Sequence, residues 1–398
     1  MRPLRVLHLP VNIRWIMDHT IDAQQNVGIE TKKILISPEG VNNPEKEVIS
    51  YMPYRGKDRS VRKFVRFSLD TLRYFWRYTN LVLWADVIHW QYGRRMWIHG
   101  GKLASYDFWL INFLKKPFVV QFHGGDFTNF HMLKSFNPLA KLAWDEETMS
   151  MLSANAKKNQ KDFSEAGALM IMGHVLLPYV EEYNKDQSYL VERMMDVEGI
   201  YESFNCLKQV QKSSVKKLRI LHAPSHPTCK GTQYIIPILQ EVSRERNVEY
   251  ELVENISHSE LLHKISKADI VIDQILHGEY GLFAVEGLAM GKSVIAYVHE
   301  RFAYSDDLPI VSATPDTLRD ELLRLIDNSS LRDDLRVRGV EYAFRTHSKS
   351  AVLTEVLKSY RLAAGRRGRK RIELQIDYYL IRAIKQFEDK RSEYVQKD

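Results

Sequence analysis

Short apolar runs alternate with longer stretches of helical periodicity along this chain, and that alternation restricts the fold more than any other feature. In the first half the apolar runs lie at residues 4–9, 33–37, 86–91, 117–122 and 168–172. In the second half they lie at residues 218–223, 249–253, 270–274, 293–297 and 310–312. Because strands buried on both faces are almost continuously apolar, the pattern predicts parallel β-sheets covered by helices.

The length of 398 residues exceeds what one hydrophobic core usually organises, and a polar stretch without clear periodicity at 198–217 divides the pattern in two. We therefore predict an α/β protein in which two Rossmann-like αβα domains face a central cleft. The predicted domains cover residues 1–205 and 206–360, and a basic helical extension covers residues 361–398. Ligands of open parallel sheets bind beyond the C-terminal ends of the strands, so the loops there are the expected site of chemistry.

Charge and cysteine content narrow the class of partner and the compartment. Lys and Arg number 57 against 50 Asp and Glu, and the net charge of +7 suits nucleotides or anionic lipid but falls short of a dedicated nucleic-acid binder. Cys206 and Cys229 cannot form a disulfide framework, which indicates a reducing compartment. Because the sequence also lacks a signal peptide and an apolar span of ~20 residues, we expect a cytoplasmic protein, at most peripheral on the inner face of the cell membrane.

The loop after the run at 270–274 has the character of an anion site. Gly278 and Gly281 let backbone amides approach a ligand closely, and a helix is predicted to begin near Leu282, with its N-terminus favouring negative charge. Glu286 lies about one turn inside that helix, placed to accept hydrogen bonds from two vicinal hydroxyls such as those of a ribose. The same spacing also fits an ordinary turn followed by a surface glutamate.

Two further loops carry polar side chains where a predicted strand ends. Lys230 opens a helix after the run at 218–223 and can neutralise a phosphate, although alone it also fits a solvated lysine. His123 and Asp126 flank a turn that contains Gly124. The imidazole could donate to a sugar hydroxyl or transfer a proton, or it could simply hydrogen-bond its own turn.

Several signatures of other enzyme classes are missing from the sequence. It contains no Asp-x-Asp triplet of the kind that holds a divalent metal on a diphosphate, and no GxxxxGK[ST] phosphate loop. It also contains no GxSxG elbow and no HExxH helix. The first strand leads into HLPVNIRW instead of the GxGxxG dinucleotide fingerprint.

The remaining motifs resemble one enzyme family. HAPSHPTCKGT, followed by ADIVIDQ and GEYGLFAVEGLAMGKSVIAY, is similar to the donor domain of the family 4 glycosyltransferases, which have the GT-B fold. VQFHGGDF resembles the turn that these enzymes place on the acceptor side. The likeness in order of elements spans roughly residues 4–360, and its specific part surrounds Lys230 and Glu286.

The resemblance implies a retaining, metal-independent glycosyltransferase of hexosyltransferase type. Its donor would be a nucleotide-diphosphate sugar, linked to UDP or GDP, and its acceptor a glycan or lipid-linked sugar in cell-surface polysaccharide biosynthesis. No other cofactor and no specific nucleic acid are implied. The resemblance assigns the donor to Lys230, Gly281, Leu282, Phe283 and Glu286, the acceptor side to His123, Gly124 and Asp126, and catalysis to His123, Lys230 and Glu279. The loop at 253–256 would border the nucleobase.

The sequence departs from the family pattern at two positions. The first glutamate of the donor motif is replaced by Gly278, with Glu279 displaced by one residue, and the arginine five residues before the lysine is replaced by Ser225. A missing charge-assisted contact costs on the order of 1.5–3 kcal/mol, so weak donor binding or another basic group is expected. The candidates for that group are Arg14, Arg94 and Arg95. These departures keep two alternatives open, a non-catalytic nucleotide-sugar-binding scaffold and a nucleotide-sugar 2-epimerase of the same fold.

Two basic stretches lie outside the predicted cleft. Residues 55–77 carry eight Lys or Arg against two Asp, interleaved with apolar side chains, and residues 358–371 carry seven basic residues and no acid. The first stretch fits an interfacial helix on an anionic membrane, or a helix packed on the sheet with a solvated basic face. The second fits a segment that binds a phosphate-rich lipid surface or nucleic acid, or a solvated connector.

Overall fold

The structure is a computed structural model. It describes residues 2–36, 48–49, 61–96, 105–204, 217–302 and 304–395. The strands of the first half are β1 (Arg5–Pro10), β2 (Glu30–Lys33), β3 (Leu35–Ile36), β4 (Val48–Ile49), β5 (Val87–Gln91), β6 (Phe118–Gln121), β7 (Leu169–Met172) and β8 (Ser188–Leu190). Those of the second half are β9 (Leu218–His222), β10 (Val248–Leu252), β11 (Ile270–Ile272), β12 (Ser293–Ala296) and β13 (Ile310–Ser312).

Helices separate most of these strands. In the first half they are α1 (Ile16–Asn26), α2 (Val61–Trp84), α3 (Tyr106–Phe113), α4 (Phe130–Phe136), α5 (Glu146–Glu165) and α6 (Val197–Phe204). In the second half they are α7 (Pro227–Lys230), α8 (Thr232–Glu245), α9 (His258–Lys267), α10 (Leu282–Ala289), α11 (Leu318–Asp327), α12 (Ser329–His347), α13 (Lys349–Arg366) and α14 (Lys370–Val395). Short 3-10 turns cover Pro138–Leu142, His174–Tyr179, Glu182–Gln187 and Glu300–Phe302.

Two parallel sheets confirm the predicted fold class. The first has the strand order β2-β1-β5-β6-β7-β8 and the second the order β10-β9-β11-β12-β13, with every neighbouring pair parallel. The apolar runs coincide with the central strands to within about two residues. The predicted strand at 33–37 is instead divided between β2 and β3, because β2 is an edge strand whose residues alternate in exposure. The edge strand β8 was not predicted, since no residue of its short sequence is fully buried.

Each sheet has a separate apolar layer on each of its faces, as an αβα architecture requires. Helix α8 illustrates how the helical period supplies such a layer. Its Ile235, Leu239 and Val242 recur on one side and are buried against the second sheet. Each buried side chain of this size contributes roughly 1.5–3 kcal/mol, so the layers fix the strands whose ends form the cleft.

The last two helices pack on the first sheet. Helix α13 buries Val352, Leu353 and Val356 against Leu4 and Val6 of the first half. The boundary at residue 360 stays a prediction, yet the helices on either side of it join the same apolar layer. The predicted linker at 198–217 begins inside α6, and its residues 205–216 lie outside the described residues. Within the described part of the chain, no helix combines the length and apolar character needed to cross a membrane.

Candidate functional site

The loops after the strands of both sheets enclose a cleft of 540 Å³. The first half contributes Arg14, Trp15, His123, Trp144 and Arg193 to its walls, among others. The second half contributes Lys230, His258, Gln274, Glu279, Gly281, Leu282, Phe283 and Glu286. The structure thus brings together most of the residues singled out from the sequence, whereas Gly124 and Asp126 do not line the cleft and belong to the turn that carries His123.

Lys230 lies at the end of α7 and points at the end of β11. Its Nζ is 2.7 Å from Asp273 Oδ1 and 2.7 Å from Gln274 Oε1. The Asp273 side chain is 1% exposed and that of Lys230 is 15% exposed, so this ion pair is largely shielded from water. The cation is therefore held in one place at the floor of the cleft, beside the loop that leads to α10.

The start of α10 offers backbone amides to the cleft. Gly281 precedes the helix and provides no side-chain cap, and its own amide donates to Asp273 Oδ2 at 2.6 Å. A Cβ at Gly281 would lie 2.8 Å from Asp273 Oδ2 and 2.9 Å from Lys230 Nζ, so a larger residue there would have to displace the ion pair. Because the Gly281 amide already donates to Asp273, an anion at this helix end would accept hydrogen bonds from the amides of Leu282 and Phe283.

The backbone explains why glycine replaces the first glutamate of the motif. Gly278 has a φ of +82°, in the left-handed region, and a Cβ there would lie 2.9 Å from His299 Cβ. A side chain at this position would be strained and would clash. The following residue, Glu279, lines the cleft instead, and burial raises the pKa of its carboxyl, with Arg193 and Lys230 acting in the opposite direction.

Glu286 has a partner that the sequence did not indicate. Its Oε1 lies 2.8 Å from Nε2 of His258, the first residue of α9, and its side chain is 7% exposed. The hydrogen bond that His258 donates to Glu286 raises the pKa of His258 above its ordinary value. A carboxylate so placed can accept from vicinal hydroxyls once His258 moves aside, so this pair marks the candidate ribose end of the cleft.

Arg193 is the main functional candidate that sequence reasoning missed. It follows the edge strand β8, where no motif draws attention to it, and its guanidinium Nη2 donates to the Tyr280 carbonyl at 3.0 Å. Its Nε is buried without a hydrogen-bond partner. Burial acts to lower the pKa of this guanidinium, but negative groups around it, Glu279 first among them, make the net shift upward. Arg193 and Lys230 therefore place two cations on either side of the turn at residues 280–281.

The three arginines proposed from the sequence lie in different surroundings. Arg14 lines the cleft. Arg95 instead approaches Asp162 to 3.3 Å and lies 4.6 Å from the ring centre of Phe108, which directs it into the first domain. Arg94 does not belong to the cleft lining, and its carbonyl accepts from Trp90 Nε1.

His123 faces the second domain across the cleft. Its Nε2 is 3.1 Å from Gln91 Oε1, while its buried Nδ1 has no hydrogen-bond partner. Burial, assisted by Arg193, lowers the pKa of His123 to about 3, so the ring is neutral near pH 7. With Nε2 protonated toward Gln91, Nδ1 is left as a buried hydrogen-bond acceptor without a partner among the described residues.

Asp126 shapes the turn that carries His123. Its carboxylate accepts from the amides of His123, Gly124 and Gly93 at 2.9 to 3.0 Å. Burial nevertheless raises the pKa of Asp126 to about 6. Because its oxygens are used by the turn, the structure gives Asp126 a positioning role and leaves His123 as the side chain that reaches the cleft.

Unusual backbone conformations occur in the cleft loops. Arg14, Trp15 and Asn255 all have positive φ values of 45°, 65° and 56°, and all three line the cleft. Left-handed conformations of non-glycine residues cost of order 1–3 kcal/mol and persist where the surroundings fix them, often at binding sites. Among the described residues, no group of three or more His, Cys, Asp or Glu side chains is arranged to hold a metal ion.

Comparison with known proteins identifies the architecture. The sequence matches no protein-family model and no curated protein. The structure is similar to sucrose-phosphate synthase from Thermosynechococcus elongatus, with a TM-score of 0.58 and 13% identity over 92% of this chain and 100% of that one. It is also similar to WaaG, a glycosyltransferase involved in lipopolysaccharide biosynthesis, with a TM-score of 0.51 and 10% identity over 91% of this chain and 100% of that one.

The chain has the GT-B fold. Both likenesses extend over nine-tenths of the chain, so they include the two sheets and the cleft between them. In this GT-B protein the segment 136–144 contacts the second domain, with Asn137 Nδ2 donating to the Leu276 carbonyl at 2.9 Å and the Trp144 ring 4.0 Å from that of His277. These contacts fix one wall of the cleft.

Proposed function

We propose that this protein is a retaining glycosyltransferase that transfers a sugar from a nucleotide-diphosphate sugar, without a metal, to a glycan or lipid-linked acceptor. The single observation that carries the proposal is the convergence of Lys230, the amino end of α10 and Glu286 along the second-domain wall of one cleft. A cation, free helical amides and a carboxylate in that order match the phosphate and diol groups of a nucleotide diphosphate.

The diphosphate end of this site depends on two cations. Lys230 is held by Asp273 beside the α10 terminus, and Arg193 reaches the neighbouring Tyr280 carbonyl. Arg193 therefore supplies the positive charge that Ser225 lacks. Because both cations are partly shielded from water, their attraction to a diphosphate is stronger than that of surface residues. The same charges would stabilise the diphosphate as it leaves.

The low pKa of His123 is consistent with transfer that retains the anomeric configuration. A base that removes the acceptor proton works best with a pKa near the operating pH, and the pKa of His123 is about 3. In the retaining mechanism an oxygen of the departing diphosphate takes that proton on the same face of the sugar. His123 would then orient the sugar through its free Nδ1 and would not act as a strong base.

The proposed class of acceptor comes from the biosynthetic process in which one structural neighbour takes part. WaaG is described as a glycosyltransferase involved in lipopolysaccharide biosynthesis. We extend that setting to this chain as a cytoplasmic enzyme of cell-surface polysaccharide biosynthesis, with peripheral contact to the inner face of an anionic membrane.

Thermal unfolding in the presence of UDP, GDP, ADP, TDP and CMP tests the donor site. A ligand at 100 times its Kd adds about 2.7 kcal/mol to the free energy of unfolding, which raises the melting temperature measurably. We expect one nucleoside diphosphate to shift wild type and to leave Lys230→Ala unshifted. If no nucleotide shifts wild type at millimolar concentration, the donor site is wrong.

Incubation with the matching nucleotide sugar then separates the enzyme from its alternatives. Water serves as acceptor, and proton NMR follows the first-formed free sugar. Release of sugar with the donor's anomeric configuration supports a retaining transferase, and the opposite anomer contradicts retention. A sugar inverted at C2 would indicate the 2-epimerase. Donor binding without turnover, also in the presence of glycan acceptors, would favour the scaffold, and loss of turnover in EDTA would contradict metal independence.

A further inference from the structure

Two neighbouring helices of the first domain expose apolar side chains to solvent. On α2, Leu72 and Trp76 are 65% and 73% exposed, and on α3, Trp109 and Phe113 are 54% and 69% exposed, with their rings stacked 5.2 Å apart. Spacings of three, four and seven residues place the exposed residues of each helix on one side. We call the following set the α2–α3 face: Leu69, Leu72, Trp76, Leu83, Trp109 and Phe113.

The two helices touch, which makes the face continuous. The Phe75 ring lies 4.8 Å from that of Tyr106, and Tyr106 in turn stacks on Trp109 at 5.8 Å. Thr79 Oγ1 and the Tyr106 hydroxyl are 2.8 Å apart. Trp76, Trp109 and Phe113 thus expose three large aromatic rings on neighbouring helices, and a cluster of this kind indicates contact with something apolar.

Cations gather at the end of α3. The turn between α13 and α14 packs there, with Arg369 Nε donating to the Lys115 carbonyl at 3.0 Å and Arg367 Nη2 donating to Asn112 Oδ1 at 2.7 Å. This contact places Arg369 on the carbonyls of Leu114 and Lys115, directly after Phe113. We call the exposed basic residues of this turn, with the one at the end of α3, the basic rim: Lys115, Arg366, Arg369, Lys370 and Arg371. In the described residues, the side-chain hydrogen bonds of Arg366 and Arg369 end on backbone carbonyls, so no carboxylate neutralises their charge.

We infer that the α2–α3 face and the basic rim together dock the protein on an anionic lipid surface. Tryptophan and phenylalanine rings insert at the boundary between headgroups and acyl chains, and each cation near an anionic bilayer contributes about a fivefold gain in binding. A second copy of the chain fits less well. A twofold interface centred near the end of α3 would bring one basic rim against another, and the like charges would repel.

The position of α3 connects this surface with the cleft. Helix α3 follows β5 and precedes β6, so its N-terminus lies at the edge of the sheet where the strands end and the cleft opens. A bilayer lying along α3 would therefore border the His123 side of the cleft. This step rests on the proposed function, and it identifies the acceptor as one carried by the lipid. The docking itself does not depend on the donor site.

Co-sedimentation with vesicles tests the inference. Wild type should sediment with vesicles of phosphatidylglycerol and phosphatidylcholine, and less with phosphatidylcholine alone or at high salt. Lys370→Gln/Arg371→Gln should weaken binding about 25-fold, at about fivefold for each cation. Trp109→Ser/Phe113→Ser should weaken it at every salt concentration. The matched control is Lys157→Gln/Lys158→Gln, which removes two exposed cations from α5 and should bind as wild type does.

The outcomes separate docking from the donor site. Equal binding by all four proteins, or no binding by wild type, overturns the inference. A wild-type dimer that Trp109→Ser/Phe113→Ser dissociates, with no vesicle binding, would assign the face to self-association and would also overturn it. The nucleotide-induced thermal shift is measured on the same variants, and an unchanged shift shows that they are folded with an intact cleft. In wild type, absent vesicle binding with a normal nucleotide-induced shift rejects docking alone, whereas vesicle binding without any nucleotide-induced shift rejects the proposed donor site.

Discussion

The Lys230 ammonium and the Asp273 carboxylate form a shielded ion pair, 2.7 Å between Nζ and Oδ1, at the point where the second sheet meets α10. The other carboxylate oxygen, Oδ2, holds the Gly281 amide at 2.6 Å. Asp273 thus ties the cation of the candidate diphosphate site to the start of the helix whose amides would share the same anion. The pair belongs both to the fold and to the site, and mutations must separate these two roles.

Replacement of Lys230 alone should cost stability as well as donor binding. Removing one member of a buried ion pair leaves an uncompensated charge, and the cost is about 3–5 kcal/mol. We expect Lys230→Met to lose that much free energy of unfolding in urea denaturation. The double variant Lys230→Met/Asp273→Asn should recover most of it, because no unpaired charge remains. Neither variant should show a nucleotide-induced thermal shift. A shift in the stable double variant would remove Lys230 from the donor site.

The His258–Glu286 pair predicts that donor binding depends on pH. The hydrogen bond to Glu286 raises the pKa of His258, so the stabilisation by this pair is complete below the unfolded value of about 6.5 and is lost as pH rises through the folded value. If ribose hydroxyls replace His258 on Glu286, the affinity for the nucleotide should increase as pH rises above about 6.5. Calorimetric titration with the nucleotide at several pH values on both sides of about 6.5 measures this change in affinity.

His258→Ala is the control for this pH dependence. Without the competing imidazole, we expect tighter binding on the acidic side and a flat profile through the same pH range. Weaker binding at every pH would instead mean that His258 holds Glu286 in place for the ligand. Glu286→Ala should lose affinity for nucleoside diphosphates throughout.

Much of the architecture could be predicted because buried parallel strands leave a strong local signal. Runs such as 117–122 and 270–274 are apolar on both faces, and each is followed by a polar loop that the structure places in the cleft. The positions of His123 and Lys230 in that cleft follow from the same rule, since the C-terminal ends of parallel strands share one edge.

The rest depends on contacts between distant segments. Asp273 lies 43 residues from Lys230, and nothing in either local pattern pairs them. Arg193 follows a short edge strand without an apolar run, so neither the strand nor the arginine was predicted. The periodicity of α13 predicts a helix with one apolar side, but it does not indicate that this side covers the first sheet.

Gln91 should control His123 through one hydrogen bond. Gln91 Oε1 is 3.1 Å from His123 Nε2, and the pair leaves Nδ1 as a buried acceptor without a partner among the described residues. Gln91→Glu would place a carboxylate beside the ring and raise the pKa of His123 from about 3. We expect turnover of this variant to fall toward acidic pH as the ring becomes protonated, while KM for the donor changes little. An unchanged pH profile would contradict a role for His123 at the reacting sugar.

Arg193 provides the sharpest test of how this cleft compensates for Ser225. Its guanidinium donates to the Tyr280 carbonyl at 3.0 Å and Arg193 lines the cleft, so its remaining N–H groups can donate to an anion there. A charge-assisted hydrogen bond contributes about 1.5–3 kcal/mol, so Arg193→Met should weaken nucleoside diphosphate binding by roughly 10- to 150-fold. The nucleoside monophosphate lacks the second phosphate, and its affinity should fall much less. Calorimetry with both ligands measures the difference.

Removing the negative charge of Glu279 should have the opposite effect on nucleoside diphosphate binding to removing the positive charge of Arg193. The Arg193 cation acts to lower the pKa of Glu279, which burial raises, so the two groups are electrostatically coupled. Glu279→Gln removes a negative charge beside the diphosphate, and we expect it to bind the free nucleoside diphosphate more tightly than wild type while turnover falls. In the double variant Arg193→Met/Glu279→Gln, the gain from Glu279→Gln should shrink, because the freed cation that produced it is absent. Additive effects of the two substitutions would mean that Arg193 and Glu279 act on separate groups, and Arg193 would no longer account for the missing charge.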